Sequence, residues 1–241
     1  MVSASYLFVL FSAFVVAFAA PTTLEEEDAD YILTDRNSLV KRQDYTQNYK
    51  TGGNVQFSTT TDGYSVTFSG AADFVVGRGW KTGTSRNITY TGAHKATAGT
   101  VTFQVYGWSK NPLVEYYIIE DYTSASQFGG GGGAGGGTKG TLTVDGSDYT
   151  IYETTRTNDP SIVGTSTFHQ YISVRKDKRQ SGTITTQAHF DAWSAAGMKL
   201  GTMDYQVLST EGYNNAAGST NEKLSTGAAS AVAPAAAPSS T

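Results

Sequence analysis

The sequence predicts an all-β domain, and three observations support this prediction. Short stretches alternate polar and apolar residues with a period of two, the pattern of a half-buried strand. Turn signals separate these stretches, above all Asp145-Gly146, a dipeptide typical of tight hairpins. Only one segment has helical spacing instead. Many short strands with a single helix indicate a sandwich, a jelly roll or a barrel.

Alternating stretches make up the predicted strands. They are rich in Thr, Tyr, Val and Ile, which pack well on a pleated surface. In chain order they are YSVTF (64–68), DFVVGRGW (73–80), RNITYTG (86–92), TVTFQVYGW (100–108), LVEYYIIEDY (113–122), GTLTVDG (140–146), DYTIYETTRT (148–157), STFHQYISVRK (166–176), GTITT (182–186) and MDYQVLSTEGY (203–213).

The predicted helix lies within TTQAHFDAWSAAGMKLG, residues 185–201. Phe190, Trp193 and Ala196 recur at helical spacing, behind threonines able to cap the first turn. We expect a short helix whose aromatic stripe packs on the outside of a sheet. We interpret His189 as a structural residue.

Two segments of low complexity interrupt or end the strand pattern. The tract FGGGGGAGGGT (128–138), with its glycines at 129–137, cannot form a packed strand, because glycine has no side chain to bury. We interpret it as a surface loop, since the strand pattern resumes at once; a domain linker is the alternative. The tail at 226–241 is rich in Ala, Ser and Pro and is expected to be disordered. The globular domain is therefore predicted to span residues 43–225.

The first 42 residues resemble segments that are removed during secretion. Residues 1–20 are uncharged and end in small side chains, as in a signal peptide, but lack a basic n-region. A membrane anchor is the alternative, because residues 6–20 approach the length of a span. Residues 21–42 are acidic and end in Lys41-Arg42, the pattern of a propeptide, with an uncut flexible arm as the alternative. We expect a secreted, extracellular protein.

Charge and composition exclude several functions. Removing residues 1–42 takes away six acidic and three basic residues, so the net charge changes from −4 to −1. No basic patch points to nucleic acid, and an uncharged partner fits best. The chain has no cysteine, which excludes disulfides and cysteine-ligated zinc. The three histidines are scattered. We therefore expect no metal, no cofactor and no membrane partner, and a monomer.

One predicted strand carries a glutamate in an apolar run. Because side chains alternate on a strand, Glu115 shares a face with Tyr117 and Ile119 in LVEYYIIEDY. Tyr116 and Glu120 share the opposite face. A solvated strand face is the simplest interpretation of such a carboxylate.

The strand MDYQVLSTEGY repeats this arrangement, because Tyr205 and Glu211 share a face. Carboxylates among tyrosines suit carbohydrate chemistry, since sugars stack on aromatic rings and a pair of carboxyl groups cleaves glycosidic bonds. Glu120 and Glu153 are also strand carboxylates, so the pattern alone does not identify the pair.

Three segments carry a resemblance to a known family. YGWSKNPLVEYYIIEDY, TRTNDPSIVGTSTFHQYISVRKDKRQSGTITTQAHFDAW and GTMDYQVLSTEGY resemble the endo-β-1,4-xylanases of glycoside hydrolase family 11. The resemblance extends over about residues 43–213. It implies a β-jelly roll of two strongly curved, mostly antiparallel sheets, shaped like a partly closed right hand, with one short helix. It also implies hydrolysis of xylan.

The resemblance assigns Glu115 as the nucleophile of a retaining mechanism and Glu211 as its general acid/base. Burial and the charge of Glu115 are expected to keep Glu211 protonated. Retention implies carboxyl groups about 5–5.5 Å apart. Substrate-binding positions that the motifs carry over are Tyr106, Tyr117, Arg156, Gln170, Tyr205 and the thumb-loop tip Pro160-Ser161-Ile162.

Asp73 in DFVVGRGW matches a position beside the acid/base glutamate that is aspartate in acidic members of the family. A solvent-facing carboxylate at the start of a strand is the alternative. If Asp73 contacts Glu211, the two carboxyl groups share a proton and titrate as a pair. We therefore expect an acidic pH optimum.

The sequence departs from the family pattern near both ends. The usual stacking tryptophan near the mature N-terminus is missing, and Tyr49 in QNY is the candidate replacement. The glycine tract occupies a loop that is normally more varied. After Glu211, NNAAGSTNEKLST replaces the usual final strand, so the sequence does not predict a well-paired last strand. Asn87 in NIT is a glycosylation candidate.

Two other functions are compatible with the sequence. An endoglucanase-type β-glucanase on a related jelly roll would need a wider cleft, to admit the hydroxymethyl group of glucose. A non-catalytic carbohydrate-binding protein is the second alternative, although both glutamates are present.

The processing site leads to the first prediction. Because a dibasic pair closes the acidic segment, the secreted protein is expected to begin at Gln43. N-terminal sequencing or intact mass measures this, and a mature chain that begins near Pro21 contradicts the propeptide.

Overall fold

The computed structural model describes residues 31–33, 39–41, 43–124, 128 and 137–226. The predicted signal peptide, most of the propeptide and glycine tract, and the tail beyond 226 lie outside these residues. The described elements are β1 (Tyr31–Leu33), β2 (Leu39–Lys41), β3 (Tyr45–Lys50), β4 (Asn54–Thr59), β5 (Gly63–Trp80), β6 (Asn87–Lys110), β7 (Val114–Tyr122), β8 (Gly137–Val144), β9 (Ser147–Ser161), β10 (Gly164–Arg175), β11 (Ser181–Thr185), α1 (Thr186–Ala195) and β12 (Thr202–Thr226). No helix in these ranges is long and apolar enough to cross a membrane.

Ten of the strands form one continuous open sheet. Its order is β3-β5-β12-β6-β7-β10-β9-β8, with β4 paired to β5 and β11 paired to β6. The pair β7–β10 is parallel, and its neighbours in the sheet are antiparallel. The hairpin predicted at Asp145-Gly146 is confirmed: Val144 pairs with Ser147, and both turn residues have positive φ, 52° and 74°. Strands β3 and β4 were not predicted from the sequence.

The three longest strands, β5, β6 and β12, bend and pass from one layer of the fold to the other. The bends lie at Gly70, Gly99 and Asn214-Asn215, where φ is positive, and the pairing register shifts beside them. Glycine adopts this left-handed conformation readily, and asparagine tolerates it better than most residues. These bends curve the sheet into the two-layer jelly roll predicted above.

Alternation along β7 separates two apolar clusters. Tyr116 and Ile118 belong to the core between the layers, whereas Tyr117 and Ile119 belong to a second cluster on the other face. The predicted division of this strand into two faces is confirmed.

Glu120, one of the alternative carboxylates, lies on the core face and is fully buried. Tyr149 and Tyr90 donate hydrogen bonds to its two oxygens at 2.7 and 3.1 Å. The guanidinium of Arg179 also donates to it. Buried polar groups are stable in a core only when they are hydrogen-bonded, and these contacts to core residues give Glu120 a structural role.

Helix α1 covers the core as predicted. Trp193 is fully buried, and its indole N–H donates to the Ser173 hydroxyl at 2.9 Å. The predicted threonine cap is wrong, because the Thr185 hydroxyl donates to Asp145 instead, at 2.7 Å. His189 is also fully buried, and burial, reinforced by nearby arginine charges, lowers its pKa to about 3. A neutral histidine packed in the core agrees with the structural interpretation.

The chain after Glu211 continues β12 to Thr226, so the strand whose edge pairing the sequence left in doubt is well paired. After the bend, β12 pairs with β5 on one side and β6 on the other. Ala216, Thr220 and Leu224 are buried on alternate positions of its outer half. The unusual segment is thus a central strand and not an edge.

A buried histidine links three strands in the outer part of the fold. The ring nitrogens of His94 on β6 lie 3.0 Å from Asp121 on β7 and 3.0 Å from Glu222 on β12. Burial alone would lower the pKa of His94, but hydrogen bonds and charges from the two carboxylates raise it above its ordinary value. The same contacts lower the pKa of Asp121 against the opposing effect of burial.

Replacing this histidine is expected to cost stability in a pH-dependent way. Because the folded-state pKa of His94 is raised, its contribution is complete below about pH 6.5 and is lost as the pH rises through the folded value. His94→Gln is expected to lower the free energy of unfolding by about 3 kcal/mol at pH 6, and by less at pH 9. Urea titrations at the two pH values measure this.

His169→Gln is the matched control. The His169 side chain is 46% exposed and its ion pair with Glu153 lies at the surface, so the expected loss is below about 1 kcal/mol. An equal effect of both substitutions, or no pH dependence for His94→Gln, contradicts the bridging role.

Candidate active site

A cleft of about 640 Å³ lies on the face of the sheet that carries the second apolar cluster. Strands β3, β5, β6, β7, β9, β10 and β12 all contribute to its walls. Of the residues predicted from the sequence, those that line it are Tyr49, Asp73, Tyr106, Glu115, Tyr117, Arg156, Pro160, Ser161, Ile162, Gln170, Tyr205 and Glu211.

Strand pairing places the two glutamates on either side of β6. Glu115 on β7 pairs with Trp108 on β6 and with Gln170 on β10. Glu211 on β12 pairs with Thr102 on the same β6 strand. Trp108 and Thr102 are an even number of residues apart on β6, so alternation puts both glutamates on one face of the sheet, where both line the cleft.

Glu115 is nearly buried, with 9% of its surface exposed. Burial raises the pKa of its carboxyl group, and donors to both oxygens oppose this effect. The Tyr106 hydroxyl donates to Oε1 at 2.7 Å, and the Gln170 amide donates to Oε2 at 2.7 Å. Tyr117 adds a third hydrogen bond, and the charge of Arg156 acts in the same direction. These donors favour the ionised carboxylate.

The pKa of Glu115 is still raised overall, and that of Glu211 is also raised, with fewer donors to oppose the rise. Burial, followed by the negative charges of Glu115 and Asp73, raises the pKa of its carboxyl group to about 8. The Gln104 amide donates to Oε2 at 3.2 Å and offsets this only in part. Two carboxyl groups whose surroundings separate their pKa values are suited to the acid and base roles of a hydrolase.

Asp73 lies at the edge of the pair and is half-buried. Burial raises the pKa of its carboxyl group, and a hydrogen bond from Tyr49 opposes this. Its effect on Glu211 is electrostatic, since its charge helps to raise the pKa of that carboxyl group. The shared proton predicted from the sequence stays a prediction.

Aromatic rings line the cleft beside the carboxyl groups. Tyr49, the candidate stacking residue, is 44% exposed. The ring of Tyr205 stacks on that of Tyr45 with centroids 4.5 Å apart, and Tyr106 lies 5.9 Å from Tyr205. Exposed and stacked rings of this kind suit the apolar faces of sugars.

The hairpin between β9 and β10 carries Pro160, Ser161 and Ile162, the predicted thumb-loop tip, and these residues line the cleft. Arg156 makes an ion pair with Asp159 at 2.8 Å, and Asp159 also lines the cleft. The charge of Arg156 acts on Glu115 and Glu211, lowering the pKa of each carboxyl group. The loop therefore contributes charge as well as shape to the site.

Several cleft residues were not predicted from the sequence. Trp108 is two residues from Tyr106 on β6, so period-two alternation carried a signal that could have located it on the same face. Gln104 and Thr154 act from outside the lining of the cleft, since each donates a hydrogen bond to a cleft residue, Glu211 and Gln170 respectively. Those contacts follow from the strand register. Asn87 is only 9% exposed, lies outside the cleft, and pairs with Thr185 on β11. Glycosylation of Asn87 stays a prediction.

The fold and the cleft together define a class of protein. A jelly roll that holds two carboxyl groups with different pKa values among tyrosines is built as a glycoside hydrolase.

Comparisons with known proteins identify the family. The model of glycosyl hydrolases family 11 matches residues 41–222. "Ethylene-inducing xylanase 2" from Botryotinia fuckeliana is 46% identical over 88% of this chain and 95% of its own length. "Endo-1,4-beta-xylanase 1" from Hypocrea jecorina is 44% identical over 93% of this chain and 100% of its own length. A solved endo-1,4-β-xylanase from Trichoderma reesei, 49% identical, superimposes with a TM-score of 0.71 and covers 76% of this chain and 99% of its own. The chain belongs to glycoside hydrolase family 11.

Asp73→Asn separates a charge effect from a shared proton. Removing the negative charge is expected to lower the pKa of Glu211 below about 8. If the active form needs a proton on Asp73, the activity optimum is nevertheless expected to move from acidic pH towards neutrality, because asparagine does not titrate. A carboxyl titration measures the pKa of Glu211, and profiles of kcat/KM against pH measure the activity optimum.

The two readouts give distinct outcomes. Opposite movements of the titration and the optimum support a shared proton. If the optimum moves to lower pH together with the pKa of Glu211, Asp73 acts by charge alone. An unchanged profile and an unchanged titration contradict any coupling.

Proposed function

We propose that this enzyme is a secreted endo-1,4-β-xylanase that cleaves internal bonds of xylan by a retaining double displacement. One observation carries the proposal. A single cleft holds Glu115, whose carboxylate accepts hydrogen bonds on both oxygens, and Glu211, whose carboxyl pKa is raised to about 8. The named activities of the relatives supply the substrate class. The mature enzyme acts as a monomer outside the cell, with no nucleic-acid or membrane partner.

In the first step, an oxygen of ionised Glu115 attacks the anomeric carbon of the sugar. Glu211 donates its proton to the glycosidic oxygen, and the leaving chain departs as an alcohol. The product is a sugar covalently esterified to Glu115. The hydrogen bonds that favour ionised Glu115 position it for this attack.

The second step depends on a change in charge. Esterification removes the negative charge of Glu115, which is one cause of the raised pKa of Glu211. The pKa of Glu211 therefore falls, and its carboxylate can take a proton from water. Water attacks the anomeric carbon from the face that the first leaving group had occupied, so the configuration is retained.

The cleft matches an uncharged sugar chain. Tyr49 offers an exposed ring, and Tyr205 and Tyr106 present hydroxyl-bearing rings beside Glu115. Pro160 at the thumb-loop tip and Arg156 also line the cleft. Xylose lacks the hydroxymethyl group of glucose, so a β-glucanase would need a wider cleft than a xylanase.

The two glutamates are expected to give different phenotypes. Glu115→Gln and Glu211→Gln each lower xylan hydrolysis by at least about 10³-fold while the fold is kept. An activated leaving group departs without protonation, so on an aryl xylobioside Glu211→Gln keeps the glycosylation burst and Glu115→Gln does not. Rapid-quench kinetics measure the burst. Equal losses on the aryl substrate contradict these roles.

Substrate class is tested with the wild-type enzyme. Reducing-sugar release is expected from xylan and not from cellulose or mannan. Hydrolysis of cellulose at a comparable rate would favour the β-glucanase. Binding without any release of sugar would favour a non-catalytic protein.

A further inference from the structure

Each oxygen of Glu115 receives a hydrogen bond from a residue that itself has an outer partner. On the Oε1 side, the Tyr106 hydroxyl donates to Glu115 at 2.7 Å, and the indole N–H of Trp108 donates to the Tyr106 oxygen at 2.8 Å. Trp108 is 3% exposed, and its ring packs on Phe168 with centroids 4.9 Å apart. Packing therefore fixes the position of Trp108, the outer partner of Tyr106.

The chemistry of these groups sets the direction of the bonds. An indole N–H can only donate, so the Tyr106 oxygen must accept from Trp108. Tyr106 has a single proton, and that proton cannot point at Trp108. It is therefore available for Glu115.

The Oε2 side repeats this design with different residues. The Gln170 amide donates to Glu115 at 2.7 Å, while the Thr154 hydroxyl donates to the Gln170 carbonyl oxygen at 2.7 Å. An amide turned by 180° would present its carbonyl oxygen to the carboxylate. The Thr154 hydrogen bond favours the orientation that presents the N–H group.

We propose that Trp108 and Thr154 are positioning residues, which fix the polarity of the two donors that hold Glu115. The proposal rests on the proposed function, in which Glu115 is the nucleophile. The two residues act through Tyr106 and Gln170, so neither needs to touch the substrate. Together the two chains hold both oxygens of the carboxylate in one orientation, which aligned attack requires.

Losing an outer partner has a predictable effect on titration. With its donors free to reorient, ionised Glu115 is less favoured, and its pKa rises. Other charged or titratable groups act on the same carboxyl group or on its partner and are unchanged in the variants. They are Tyr117 on β7, Arg156 on β9, Tyr205 and Glu211 on β12, and Asp73 on β5.

The test uses Thr154→Val, which keeps the shape of the side chain and removes its hydroxyl, and Trp108→Phe, which keeps an aromatic ring. In each, kcat/KM on xylan is expected to fall about tenfold, mainly through kcat. The acidic limb is expected to move to higher pH. The matched control is Thr155→Val, because Thr155 is the next residue on β9 and faces His169 instead of Gln170. No change is expected there.

A double-mutant cycle separates positioning from general destabilisation. In a Gln170→Ala background, Thr154→Val is expected to have almost no further effect on kcat/KM, because its route to Glu115 is gone. Full additivity, or an equal loss in Thr155→Val, overturns the proposal. A carboxyl titration of Glu115 by NMR gives a readout that does not depend on activity. If the pKa of Glu115 is the same in Thr154→Val, Trp108→Phe and the wild type, the proposal is also wrong.

The proposed function and the positioning role can be contradicted by different results. A wild-type enzyme that releases no sugar from xylan contradicts that function, whatever Glu115 does in the titration. An active wild type with unaltered variants contradicts only the positioning role.

Discussion

The negative charge of Glu115 beside the carboxyl group of Glu211 is the interaction on which the rest of the site depends. Two carboxyl groups that share one cleft cannot ionise independently, because each charge raises the pKa of the other group. The protein resolves this by unequal hydrogen bonding. Glu115 receives donors on both oxygens, while Glu211 receives only the Gln104 amide among the described contacts. One group is therefore set to attack and the other to donate a proton.

The curved sheet carries both carboxyl groups in one cleft. They lie on β7 and β12 with β6 between them, and their pairing partners on β6 are Trp108 and Thr102. The bends at Gly70, Gly99 and Asn214-Asn215 give the sheet its curvature. Each lies three residues along the chain from a position at the site, Asp73, Thr102 or Glu211, so the sheet curves directly beside the carboxyl groups.

Local patterns predicted much of this arrangement. Alternation correctly assigned the two faces of β7, and helical spacing located α1. The same patterns divided β5 and β6 into separate strands, because Gly70 and Gly99 look like breaks in the sequence although both strands continue through them. The continuation of β12 beyond Glu211 also escaped prediction, since its pairing with β5 and β6 is tertiary. The contacts of Trp108 and Thr154 with the residues that hold Glu115 were equally invisible without the strand register.

Titration of the Glu211 side-chain carboxyl by NMR, in the wild type and in Glu115→Gln, is the most direct test of the coupling between the two carboxyl groups. The substitution removes the negative charge and preserves the shape of the neighbour. The account predicts that the pKa of Glu211, raised to about 8 in the wild type, falls in the variant towards the ordinary value near 4.3. Burial and the charge of Asp73 are expected to keep it above that value. An unchanged pKa in Glu115→Gln would contradict the claim that the two carboxyl groups are electrostatically coupled.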